Sequence, residues 1–196
     1  MPTDLRLPEM LETLLAIEQS PDQSLDERLT AVMQVLCQIW NCERCFLCLR
    51  DPDASLTRIT HSYCNRPDRE NLLEPDWVLE DAAILTDPLM ILAFQSPEAV
   101  YVEDVETADA ATINLAYEQQ VFKNRALIHA PIYAQGQLYG ILEPCLFDQP
   151  RVWTEFDRWI TVQMQQRLAP LVVQYLRQDQ RIAEFAGRPN ERQNQI

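Results

Sequence analysis

Three evenly spaced cysteines are the first residues in this sequence whose types and spacing could support chemistry. Cys42, Cys45 and Cys48 are separated by two residues each, which is the spacing of three iron–sulfur ligands. An iron–sulfur site needs a looping backbone that points its thiolates at one centre. The apolar run 45–49 instead predicts a strand on which Cys45 and Cys48 face opposite sides. We therefore interpret all three as buried, reduced thiols, with a redox-active or zinc-binding thiol pair as the alternative.

Two ionisable residues interrupt apolar segments in the last third of the chain. His129 lies inside the run 126–133, where it is either a hydrogen-bonded structural histidine or a ligand contact. Glu143 shares one face of the next predicted strand, 137–147, with Cys145. Because a buried, unpaired carboxylate costs free energy, Glu143 is expected either to pair with an arginine or to face water.

The sequence offers no recognisable catalytic machinery. No nucleophile, base and orienting residue form a set, and the three glycines do not form a phosphate-binding loop. The two histidines would have to converge with thiols from other strands to hold zinc. We therefore predict that the chain is not an enzyme, and we assign it no catalytic residue, no metal and no cofactor.

Composition sets the class of protein and limits its partners. Hydrophobic residues make up 47% of the 196 residues, which indicates a globular chain with a proper core. The net charge of −14 repels phosphate backbones and anionic lipids, so nucleic-acid and membrane binding are not expected. No apolar run approaches the roughly 20 residues of a membrane span. The first six residues do not resemble a secretory signal, and we expect a cytoplasmic location.

The hydrophobic pattern predicts the elements that position these residues. Ser24 and Glu27 form a capping box before an apolar helical stripe, and Asp87-Pro88 marks another helix start. Asp109 and Thr154 are candidate caps of two later helices. Helices are predicted over 8–20, 24–40, 88–95, 109–122 and from Thr154 onward, and strands over 45–49, 56–63, 99–102, 126–133 and 137–147. This order predicts an α+β fold with a mostly antiparallel sheet and helices packed on it.

The segment 126–142 combines an apolar-Pro-apolar strand, a glycine turn and an apolar-aromatic-Gly strand, and Pro150-Arg151-Val152-Trp153 follows before the last helix. In this order the motifs resemble the GAF domain family, in particular GAF domains of cyanobacterial phytochrome-like photoreceptors. The resemblance implies a GAF-like central antiparallel sheet flanked by helices, and a cyanobacterial origin. We divide the chain into a helical lead-in (1–21), a GAF-like domain (22–178) and a polar tail (179–196).

The resemblance implies a ligand such as a bilin or a cyclic nucleotide, and each needs its own residues. The helix that would carry the bilin-attaching thiol, 112–123, has no cysteine, and Cys145 stands where phytochrome-like domains carry a histidine. Covalent bilin binding is therefore not expected. Phe122-Lys123-Asn124-Arg125 differs in order from the cyclic-nucleotide signature. The absence of cysteine between Cys64 and Cys145 argues against free-methionine-sulfoxide reductase activity.

Two functional hypotheses remain, and they carry equal weight. The first is a non-catalytic regulatory module that senses a small molecule or signal between the sheet and the segment 77–117, and passes it to a partner protein. The second is an interaction scaffold without a ligand, in which the terminal helices form a homodimer or dock a partner. A redox switch that uses Cys42, Cys45 or Cys48 is a third hypothesis and ranks below these two. The candidate ligand-binding residues are Tyr63, Trp77, Tyr117, His129 and Cys145.

Overall fold

One antiparallel sheet organises the computed structural model, which describes residues 6–179. Its strands are β1 (Arg44–Asp51), β2 (Leu56–Cys64), β3 (Val78–Leu79), β4 (Val100–Val102), β5 (Ala126–Ala134) and β6 (Gln137–Leu146). Within the described residues the strand order is β3-β2-β1-β6-β5-β4. The hydrophobic pattern predicts all of these strands except β3, which has two residues and is too short to give a periodic signal. The predicted α+β class is confirmed.

Three long helices lie on one side of the sheet, which we call the helical face; two pack on the strands, and the first packs against the second. They are α1 (Arg6–Glu18), α2 (Leu25–Ile39) and α6 (Glu155–Gln178). The predicted capping box of α2 is present, because Glu27 N donates to Ser24 Oγ at 3.2 Å and Ser24 N donates to Glu27 Oε2 at 2.8 Å. Thr154 caps α6 in the same way with Asp157. The apolar stripes of these helices bury Cys45, Leu47, Leu49, Ile128 and Leu142 of the central strands.

Short elements cover the other side of the sheet, which we call the cavity face. They are α3 (Ala82–Thr86), α4 (Pro88–Gln95), α5 (Leu115–Tyr117) and a π-helical turn (Glu118–Phe122) that continues α5. Asp87 caps α4 as predicted, since its Oδ1 accepts from Met90 N at 3.1 Å. The start predicted for the later helix is wrong. Asp109 Oδ1 accepts from Ala111 N within a turn at 2.8 Å, and the cap of α5 is Asn114, five residues later.

The two central hairpins fix which side chains reach each face. In the turn between β5 and β6, Gln135 (φ 51°) and Gly136 (φ 80°) adopt the left-handed conformations that a tight hairpin turn requires. Strand alternation then places Phe46, Cys48, His129, Ile141 and Glu143 together on the cavity face.

Candidate functional site

A cavity of about 130 Å³ lies between the cavity face of the sheet and the short elements that cover it. Pockets for drug-sized ligands measure about 300–1,000 Å³, so this is a small cavity. It is lined by Phe46, Cys48, Thr57, Ile59, Glu74, Val78, Ala83, Ile84, Asp87, Leu89, Met90, Tyr117, Glu118, Phe122, His129, Ile141 and Glu143. The walls are therefore mostly apolar, with a few ionisable groups among them, as in many small-molecule sites.

The ionisable groups of the cavity belong to one buried hydrogen-bond network. His129 Nδ1 lies 3.0 Å from Glu143 Oε2 across the β5–β6 ladder. Asn124 Nδ2 donates to Glu143 Oε1 at 3.0 Å and to Glu118 Oε2 at 3.2 Å. Arg44 Nη2 donates to Asn124 Oδ1 at 3.0 Å. Asn124 therefore connects both carboxyl groups to a single guanidinium.

Both environments expected for Glu143 are wrong. Its side chain neither pairs directly with an arginine nor faces water: the residue is 4% exposed and bonds to His129 and Asn124. The π-helical turn explains why Asn124 is a partner of Glu143. It ends at Lys123 in a left-handed conformation with φ 59°, and this reversal places the next residue, Asn124, against the sheet. A sequence pattern does not reveal such a π-helical turn.

Glu118 has the most perturbed carboxyl group of the cavity. The residue is 4% exposed, and burial raises the pKa of its carboxyl group to about 9, with the charges of Glu143 and Asp87 adding to the increase and Asn124 and Arg44 opposing it. Burial also raises the pKa of Asp87. Glu118 thus holds its proton at neutral pH, and its neighbour Glu143 is relieved of a second negative charge.

Two nitrogens of the network, Arg44 Nε and His129 Nε2, have no hydrogen-bond partner among the described residues, and of these two residues His129 lines the cavity. His129 is 5% exposed, and its Nε2 is buried without a partner. A carboxylate only accepts hydrogen bonds, so the ring nitrogen that bonds to one is the donor, and Nε2 is the nitrogen of His129 that is left over. A buried polar atom without a partner costs about 1–3 kcal/mol, which a bound molecule with a suitable group would recover.

The predicted site residues fall into three places. Tyr117 and His129 line the cavity. Tyr63 packs against the core of the helical face, and Trp77 is buried in that core, where its Nε1 donates to Asp179 Oδ2 at 3.1 Å. Cys145 shares the cavity face with Glu143 but lies beyond the cavity, in a separate apolar cluster around Leu127. Burial raises the pKa of its thiol. Sequence reasoning missed Arg44, Glu118 and Asn124 as site residues, and it identified Asp87 only as a helix cap. Arg44 is placed by contacts distant in the chain, and Glu118 and Asn124 by the π-helical turn.

The three spaced cysteines do not converge on one centre. Cys45 is buried in the core of the helical face, and Cys48 lines the cavity on the other side of the sheet, so the predicted opposite orientation is confirmed. Burial raises the pKa values of Cys42 and Cys45, and raises the pKa of Cys48 to about 12. Across residues 6–179, no group of three or more His, Cys, Asp or Glu side chains is arranged to hold a metal ion.

No helix in the described part of the chain is both long enough and apolar enough to pass through a membrane.

Solved structures with this fold come from proteins of different activities. The GAF domain of an Acinetobacter phosphoenolpyruvate-protein phosphotransferase is 15% identical, with a TM-score of 0.65 over 87% of this chain and 95% of that domain. The phycocyanobilin-bound GAF domain of a cyanobacterial phytochrome is 19% identical, with a TM-score of 0.66 over 89% and 98%. Free methionine-R-sulfoxide reductase from Neisseria meningitidis is 14% identical, with a TM-score of 0.61 over 88% and 93%. At these identities the similarity shows the fold alone.

No curated protein matches the sequence. The family model of the GAF domain matches residues 24–179, which include every strand of the sheet and every residue of the cavity. The domains of this family are in general regulatory rather than catalytic, and they bind small molecules or bilins. The chain therefore belongs to the GAF domain family.

Proposed function

We propose that this chain is a non-catalytic regulatory module that binds a small molecule in the cavity and passes the signal to a partner protein. The observation that carries the proposal is the unpartnered Nε2 of His129 in the buried wall of an apolar cavity. A side chain used only for packing gains nothing from a buried nitrogen without a partner, whereas a bound molecule supplies one.

The chemistry of the cavity supports binding rather than catalysis. His129 bonds to Glu143 and not to a hydroxyl or a thiol that it could activate. Cys48, the thiol in the cavity wall, has its pKa raised to about 12 by burial, so almost none of it is the nucleophilic thiolate at neutral pH.

Strand β5 lies between the cavity and α6, and this position supports a route by which ligand binding in the cavity affects the protein surface. It presents His129 to the cavity and Ile128 and Ala130 to the core under α6. Gln165 of α6 donates from Nε2 to the Pro131 carbonyl of β5 at 2.8 Å. A ligand that moves β5 therefore acts directly on the longest helix of the domain, which is the surface we propose for the partner.

A small-molecule screen by thermal shift tests this function. A ligand that binds only the folded state raises the Tm, and we expect Tyr117→Ala and His129→Asn to reduce that increase. Hydrogen exchange on the same complex should show altered protection in α6. A broad library that contains no Tm-raising compound would overturn the proposal, as would hits unaffected by either substitution.

The second candidate function is an interaction scaffold, and the surface of α6 favours it. Trp159 and Val162 are 51% and 45% exposed on this helix, beside an open groove of about 530 Å³ that Tyr101, Tyr133 and Arg158 help to line. Exposed large apolar side chains grouped in this way are typical of interaction surfaces. We expect Trp159→Lys to convert a dimer to a monomer in sedimentation. A wild-type chain that is monomeric at high concentration would exclude the homodimer.

A further inference from the structure

The cavity is lined by acidic side chains and by no basic side chain other than His129. Four carboxyl groups line it, those of Glu74, Asp87, Glu118 and Glu143, and none of the lining residues is a lysine or an arginine. Arg44 does not line the cavity. Its Nη2 instead donates to Asn124 Oδ1 at 3.0 Å and to the Phe122 carbonyl at 2.9 Å. A negatively charged ligand would therefore enter against several carboxyl groups, with no guanidinium or ammonium to meet it.

The cavity also has an unused acceptor position. His129 is 5% exposed, it lines the cavity, and its Nε2 has no partner among the described residues. In the tautomer whose proton on Nδ1 bonds to Glu143, Nε2 offers a lone pair that accepts a hydrogen bond from an N–H donor.

The remaining walls suit an apolar body that carries positive charge. The rings of Phe46, Tyr117 and Phe122 line the cavity together with Ile59 and Ile141. Aromatic faces attract ammonium and guanidinium groups, more strongly where water is excluded. Because residues 6–179 contain no cluster of three or more ligand side chains arranged for a metal ion, the positive charge belongs on an organic group.

We propose that the ligand of this cavity is a small organic cation: an ammonium or guanidinium group on a short apolar body of a few carbon atoms. This inference rests on the proposed function, since it assigns a chemical class to the molecule that the cavity binds. The charged group lies among the carboxyl groups of Glu118, Glu143 and Asp87, and it donates to His129 Nε2. The apolar body contacts the aromatic and aliphatic wall. The cavity of about 130 Å³ favours a small ligand, because pockets for drug-sized molecules measure about 300–1,000 Å³.

Binding of a cation is coupled to release of a proton. Burial and the charges of Glu143 and Asp87 raise the pKa of Glu118 to about 9, and a cation beside the carboxyl group lowers this pKa again. The proton and the cation therefore compete, and affinity increases with pH by up to about tenfold per unit below pH 9 for one released proton. The titratable and charged groups that face Glu118 from the surrounding elements are Arg44, Cys48, Glu74, Asp87, Tyr117, His129 and Glu143.

Three probes of five non-hydrogen atoms each test the charge directly: butylammonium, 1-butanol and propionate. Each is titrated into the full chain, with binding followed by thermal shift and calorimetry at pH 6.5 and 8.5. We expect butylammonium alone to bind, up to about a hundredfold more tightly at the higher pH. Glu118→Gln should remove most of this pH dependence, and Glu103→Gln, which changes an exposed carboxylate away from the cavity, should leave it intact.

The outcomes separate this inference from the proposed function. Binding of 1-butanol or propionate that exceeds that of butylammonium, and that Tyr117→Ala abolishes, would overturn the cation while supporting the sensor. Failure of butylammonium together with failure of a broad library would overturn both. Equal affinity of butylammonium at the two pH values would overturn the coupling to Glu118. The wild-type comparison needs no variant, so a misfolded Glu118→Gln protein would not prevent a decision.

Discussion

His129 on β5 and Glu143 on β6 meet on the cavity face of the sheet, with Nδ1 of the ring 3.0 Å from Oε2 of the carboxyl group. The two residues are 5% and 4% exposed. Each side chain is therefore a hydrogen-bond partner of the other in the buried wall of the cavity, and Asn124 holds the second oxygen of Glu143. This arrangement fixes the imidazole ring and leaves Nε2 as its available nitrogen.

Glu143→Ala should destabilise the protein by about 3 kcal/mol or more. Removing one member of a buried polar pair leaves the other desolvated without its partner, which costs more than the pair contributes. The free energy of unfolding is measured by urea denaturation. Glu103→Ala serves as the control on an exposed position, where we expect a change within about 0.5 kcal/mol. Equal effects of the two substitutions would contradict a buried network.

The pH dependence of stability should change when Glu118 becomes glutamine. In the folded state the pKa of Glu118 is raised to about 9, so between about pH 4.5 and 9 the folded protein binds a proton that the unfolded chain has released. This contribution to stability is fully present below the ordinary pKa of glutamate and is lost as pH rises towards 9.

Urea denaturation from pH 5 to 9 should therefore show wild-type unfolding free energy declining more steeply with pH than that of Glu118→Gln. The difference in slope has a ceiling of about 1.4 kcal/mol per pH unit for one proton. Parallel curves for the two proteins would show that Glu118 titrates normally. Glu103→Gln should follow the wild-type curve.

Cys48 should react slowly with alkylating reagents in spite of its place in the cavity wall. Burial raises the pKa of its thiol to about 12, whereas a free cysteine has a pKa of about 8.5. We expect iodoacetamide at pH 8 to modify Cys48 at least tenfold more slowly than a cysteine peptide, as measured by mass spectrometry of proteolytic fragments. Rapid modification would favour the redox hypothesis, because redox-active cysteines need accessible thiolate.

Local signals in the sequence predicted most helices and strands of the domain, whereas contacts between residues distant in the chain determine which side chains form the cavity. The caps at Ser24, Asp87 and Thr154 each bond to a residue three positions or fewer away. The residue types in these short segments are therefore enough to predict where the helices begin. Trp77 lies in a segment with no periodic pattern to assign it a face. Asn124 reaches Glu118 and Glu143 only because a π-helical turn ends in a left-handed residue, a feature that hydrophobic periodicity does not encode.

Gln165 should connect the cavity to α6 without being part of the cavity. Its Nε2 donates to the carbonyls of Pro97 and Pro131, both at 2.8 Å, and so joins α6 to the segment after α4 and to β5. Gln165→Leu removes both bonds and leaves the cavity wall intact. We expect butylammonium to bind this variant within about threefold of wild type, since the lost bonds contribute about 1 kcal/mol each to folding and none to the ligand.

The readout is hydrogen exchange in α6 with and without the ligand. In wild type, a ligand that fixes His129 restrains β5, and we expect slower exchange in the part of α6 that packs against this strand. In Gln165→Leu this change should be reduced at equal occupancy, and in Gln166→Leu, a neighbouring exposed position, it should be retained. Identical exchange changes in both variants would show that the coupling passes through the apolar contacts of Ile128 and Ala130 instead, because those contacts are common to the two proteins.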